Sequence, residues 1–185
     1  MLRVPLAKAY LKRTLRINYG WTQATPKSCF LDPAWDRSVP IWPGMVAMRT
    51  SGSLYTLLNG TGAPAGLFGL YVGGEGIDEV ADAGVNATAV WTLDPDAEFE
   101  VMAPAFDASL SWVDPNNGTD TLVYGRTANA SPAGLNGLGG ALGTTGLRGQ
   151  LVPAGTAGAS AQPVARLLGV NSATSIVIGG LRGSF

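Results

Sequence analysis

The chain has 185 residues, 46% apolar and only 14% charged, with a net charge of −1. That length suits one domain with extensions, able to bury a core without metal or disulfide help. Histidine is absent and Cys29 is the sole cysteine, which excludes an intrachain disulfide, any Ser-His-Asp or Cys-His relay and the commonest transition-metal ligand.

The first stretch, Met1 to Leu31, carries six basic residues (Arg3, Lys8, Lys12, Arg13, Arg16, Lys27) and no acid. It lacks the apolar core of a signal peptide and the serine content of a transit peptide. Tyr10, Leu11 and Leu15 fall near one helical face, so a short helix is expected over Leu6 to Leu15. Tyr19 and Trp21 add large apolar groups that an idle solvated tail would not carry. Cys29 reads as a small buried apolar residue. From Thr22 to Pro43 the prolines Pro26, Pro33, Pro40 and Pro43 exclude a long helix and predict an extended connector, pinned to a surface by Trp35 and Trp42. Residues 1–38 are therefore expected to form an extended basic N-terminal arm, and 39–185 a β-rich body.

Strands are predicted in the body at Met45–Arg49, Leu54–Leu58, Leu67–Val72, Ala87–Leu93, Glu98–Ala103, Ser109–Val113 and Thr121–Tyr124. Alternation is clearest where Phe99 and Val101 share one face and Glu98 and Glu100 the other, the acids reading as a wet face. Turn signals separate the runs: Asn59-Gly60, Gly73-Gly74, Asp94-Pro95 and Asp114-Pro115-Asn116-Asn117-Gly118. A second short helix is expected at Ile77–Ala83. Ala128 to Gln162 is a Gly/Ala-rich stretch, either a long flexible loop or a segment packed at a subunit interface. Two apolar strands, Val164–Val170 and Ser175–Ile178, close the chain. Short strands with turns at this spacing predict a mainly β fold, a sandwich- or barrel-like domain with one or two short helices.

Charge is segregated along this plan. All 13 acids lie between Asp32 and Asp120, where Arg37 and Arg49 are the only bases. Four arginines and no acid follow Asp120. A basic arm on an acidic body suggests electrostatic docking to a protein. Direct nucleic-acid binding is disfavoured, because the acidic body would repel phosphate. No apolar run approaches the ~20 residues of a membrane span, so no membrane partner is expected. Charged residues normally make up about 25% of a soluble domain; so few here suit a surface covered largely by partners.

Motifs for chemistry are weak. The glycine run from Gly134 to Gly143 misses the dinucleotide spacing, since the third glycine would fall at Leu142, and no Gly-Lys-Ser/Thr follows a loop anywhere. The acids Glu75, Asp78, Glu79 and Asp82, and Asp94, Asp96, Glu98 and Glu100, lack calcium-loop spacing. Asn59, Asn86, Asn117 and Asn129 head glycosylation-like triplets that read as turns. No cofactor, metal site or catalytic residue is expected.

The most distinctive segment is Pro40-Ile41-Trp42-Pro43-Gly44-Met45-Val46, in which Pro-Gly launches a strand and Trp42 is either a contact anchor or a core residue. Together with Gly66-Leu67-Phe68-Gly69-Leu70-Tyr71-Val72 and Pro163-Val164-Ala165-Arg166-Leu167-Leu168-Gly169-Val170, it resembles head decoration (capsid-cementing) proteins of tailed bacteriophages, over roughly Val39 to Val170. The resemblance implies a structural, non-enzymatic virion protein, made in the host cytoplasm. It further implies a homotrimer on the capsid surface that cements neighbouring major capsid subunits through its N-terminal arm. The partner-binding residues expected from the sequence are Arg3, Lys8, Lys12, Arg13 and Arg16 for charge, and Tyr19, Trp21, Trp35 and Trp42 for anchoring. Alternatives are a tail-tube or head–tail joining subunit and, further off, a carbohydrate-binding β-domain.

Overall fold

The computed structural model describes residues 14–19, 26–32, 42–52, 54–58, 68–71, 87–91, 97–115, 122–128 and 146–180. Their alternating apolar patterns become eleven strands, with no α-helix among the described residues. In chain order these are β1 (Leu15–Tyr19), β2 (Pro26–Leu31), β3 (Val46–Ser51), β4 (Leu54–Leu57), β5 (Phe68–Tyr71), β6 (Ala87–Trp91), β7 (Glu98–Met102), β8 (Leu122–Gly125), β9 (Leu151–Pro153), β10 (Ala165–Ser172) and β11 (Ser175–Gly179). The fold is mainly β. Two sheets divide the strands: a six-stranded sheet ordered β1-β7-β11-β10-β8-β9, and a closed barrel ordered β2-β4-β3-β5-β6.

In the six-stranded sheet every pairing is antiparallel. Phe99 and Val101 point from β7 into the core beside Ile176 and Ile178 of β11, and all four are fully buried. The period-two pattern of β7 thus does what it predicts on its apolar face. After β7 the chain does not leave the sheet. Residues Ala105 to Asp107 run beside β9: Leu151 N donates to Ala105 O at 3.1 Å, Asp107 N donates to Leu151 O at 3.0 Å, and Phe106 forms a parallel bridge with Leu151. The β9 edge is thereby satisfied, as a buried edge must be.

The barrel contains one parallel pair, β2 with β4, and antiparallel pairs elsewhere. It shares its core with the sheet. Met45, Val46, Ala47, Tyr55 and Leu58 belong to the same buried cluster as Phe99, Phe106, Leu151 and Ile178. Val46 N donates to Gly149 O at 2.8 Å across the junction. Gly125 is needed there, because a Cβ at that position would run into Leu58 Cδ2. Gly44, at φ +99°, turns the chain into β3; a Cβ there would meet Val101 Cγ1 at 2.9 Å.

Several expectations change. At the end of the helix expected over Leu6 to Leu15, Leu15 opens β1 instead, because its side chain is buried against the sheet while Arg16 points to solvent. Residues 6–13 and the helix expected at Ile77–Ala83 lie outside the described residues. Ser109–Val113 is not a strand. The Asp107 carboxylate accepts from Ser109 N at 3.1 Å and Ser109 Oγ at 2.6 Å, and Leu110 N donates to Asp107 O at 3.3 Å. This turn diverts the backbone before a ladder can form. Within the Gly/Ala-rich stretch, Leu147, Gln150, Leu151 and Val152 are buried and β9 forms. That part of it packs into the chain's own core.

Candidate docking surface

Two charged centres sit in this framework. The first lies where β1 joins the sheet. Glu100 is on the outward face of β7, yet only 6% of it is exposed. Its carboxylate accepts from Ser175 Oγ of β11 at 2.6 Å and from Asn171 Nδ2 of β10 at 3.4 Å, and it pairs with Arg16 of β1. The Ser175 hydrogen bond, followed by those from Arg16 and Asn171, holds the Glu100 carboxyl below its ordinary value, against the burial that pushes it up. The acid expected to face water is instead the fastener of an edge strand. Beside it, Thr14 Oγ1 donates to Pro43 O at 2.7 Å and Met102 N donates to Thr14 O at 2.8 Å. The basic leader is therefore rooted firmly at Thr14.

The second centre is the Asp107–Arg126 pair, 2.8 Å apart, with 2% and 6% of the side chains exposed. Asp107 Oδ2 also accepts Gly146 N at 3.0 Å, and Arg126 Nη1 reaches Ala157 O at 3.4 Å. Three loops, 107–115, 146–150 and 154–160, are tied to this one pair. Nearby Gln150, fully buried, donates to Pro104 O and accepts from Leu147 N, each at 2.7 Å. Trp112 packs edge-on against Phe106 with ring centres 5.5 Å apart, and its Nε1 donates to Asp107 O at 2.9 Å.

A sequence profile of the family described as phage cement protein matches residues 1–184. The chain belongs to the phage cement protein family. No curated protein and no solved structure matches it. The resemblance read from the segments around Trp42, Phe68 and Leu167 is borne out, over more of the chain than the Val39–Val170 span that carries it. Membership makes this a structural phage protein, a component of the virion capsid whose partners are capsid proteins.

Among the residues expected to bind that partner, the structure places three. Arg16 is on β1, its guanidinium largely in solvent and paired with Glu100. Trp42 is half-buried and packs against the core, and its carbonyl accepts Met45 N at 3.0 Å. Tyr19 closes β1, opposite Glu98. Arg3, Lys8, Lys12, Arg13, Trp21 and Trp35 lie outside the described residues. Sequence reasoning missed Asp107, Arg126 and Gln150. Nothing in the local pattern separates Asp107 from the other acids, and the only cue at Arg126 is a basic residue directly after a predicted strand, in a stretch without acids.

Proposed function

We propose that this chain binds the outside of the phage capsid as a homotrimer and cements neighbouring major capsid subunits without catalysing a reaction. The observation that carries this reading is the family match along residues 1–184. The charge map supports the mode of attachment. A leader holding Arg3, Lys8, Lys12 and Arg13 without an acid supplies long-range attraction and register, while aromatic residues such as Trp21 and Trp35 supply buried area. Repetition of that contact over a shell makes modest affinities cumulative. Manufacture in the host cytoplasm belongs to the same reading.

Deleting the whole of residues 1–38 is the wrong test, because β1 and β2 are part of the two sheets. The direct test reverses Arg3, Lys8, Lys12 and Arg13 to Glu in the full chain and measures co-sedimentation with shells assembled from the parent phage's major capsid protein without cement protein. Loss of binding with an unchanged melting temperature is expected. Binding equal to that of the unaltered chain would remove the leader from the mechanism. Analytical ultracentrifugation of the unaltered chain tests the trimer.

A further inference from the structure

In the segment 107–115 Val113 is 43% exposed, one of two large apolar side chains classed as exposed among the described residues. Trp112 beside it is half-buried. Charge is sparse here: between Asp107 and half-buried Asp114, which adjoins Val113, there is none, and none lies from Gly149 to Ala165. The neighbouring loop exposes Ala154, Ala157 and Ala161. A surface of this composition loses little hydration free energy when covered by protein.

The surface is also held rigid at a cost to the interior. Arg126 is buried so that its guanidinium can bind Asp107 and the Ala157 carbonyl, yet its Nε–H has no partner among the described residues. An unsatisfied buried donor is unfavourable, and such a group calls for an explanation. Fixing two weakly charged loops in one orientation supplies it, because preordered loops lose little conformational entropy on binding. The cluster adjoins the leader's root as well. Thr14 O and Ala105 Cβ both lie within 3.4 Å of the point where a Gly44 Cβ would sit, and Asp107 follows Ala105 by two residues.

We propose that the weakly charged loops tied to Asp107 and Arg126, which present Trp112 and Val113, form a second contact with the capsid shell beside the leader's root. The proposal rests on the cementing role. The leader would capture the shell by charge, and Val113 with its neighbours would lock onto an apolar depression of a capsid subunit. Capture and locking have different salt dependence, since screening weakens the first and leaves the second.

The test uses full-length Val113→Asp and Ala157→Glu, each placing a charge in the patch at an exposed position. Co-sedimentation with cement-free shells is measured at low and high salt, with melting temperature and sedimentation coefficient as controls. Expected is a loss of shell affinity of about tenfold or more that persists at high salt, with both controls unchanged. Affinity within about twofold of the unaltered chain, while leader reversal abolishes binding, would overturn the second contact and leave the cementing role intact. A changed sedimentation coefficient would assign the patch to contacts between copies and overturn the proposal. Failure of the unaltered chain to bind shells would overturn the cementing role and this contact with it.

Discussion

Two arginine–carboxylate pairs among the described residues differ chiefly in the burial of the arginine, and they serve opposite purposes. In Arg16–Glu100 the arginine side chain is 61% exposed; in Arg126–Asp107 it is 6% exposed. The first pair closes the outer flank of an edge strand, where water competes for the guanidinium and salt screens it. The second is sealed among three loops, where neither partner can be removed without stranding the other. The same two functional groups therefore act as a loose fastener at one place and an internal strut at another, and solvent access alone makes the difference.

Substitutions can break this contrast, beginning with the strut. Asp107→Ala leaves Arg126 buried without its counter-charge, and a loss of about 3–5 kcal/mol in urea unfolding is expected. A loss below about 1 kcal/mol would put the pair in the same class as Arg16–Glu100. Gly125→Ala tests the neighbouring junction of sheet and barrel, where the new methyl must displace fully buried Leu58; overpacking predicts a loss of about 1–3 kcal/mol by the same measurement.

The fastener is best probed by pH. Glu100 is held below its ordinary value by Ser175, Arg16 and Asn171, so the unfolded chain binds a proton at higher pH than the folded one. Its contribution is complete above the ordinary glutamate value of about 4.3 and is lost as pH falls through the lower folded value. Glu100→Gln should flatten the acid limb of a stability–pH curve without altering its shape above pH ~5, and an unchanged acid limb would show that this carboxylate does not titrate with folding. The smallest effect is expected for Arg16→Ala, about 0–1 kcal/mol and shrinking with added salt.

Much of the body could be read in advance. The strands near Met45, Leu54, Phe68, Ala87, Phe99, Leu122, Leu167 and Ile176 form close to where alternation and turn residues put them. The failures have separate causes. Leu15, read as the last residue of a helix, opens β1 instead, because pairing with β7 overrides its local preference. Leu151 to Pro153 is too short for a period to show, and it becomes a strand only because β8 and the segment after β7 flank it. Ser109 to Trp112 shows the reverse case, a good alternating pattern cancelled by one aspartate side chain that bonds the backbone first.

The candidate contacts divide in the same way. A leader dense in Arg and Lys, a body that gathers every acid and a family resemblance in three short segments are all properties of the linear chain, because charge, composition and local motif need no neighbours to exist. Which carboxylate is buried, which arginine is sealed and which loops are held together depend on contacts between residues far apart in the chain. Asp107 meets Arg126 and Gly146, and Glu100 meets Arg16 and Ser175, only after the sheet has closed around them. Burial is what separates a strut from a solvated charge, and burial belongs to the folded chain.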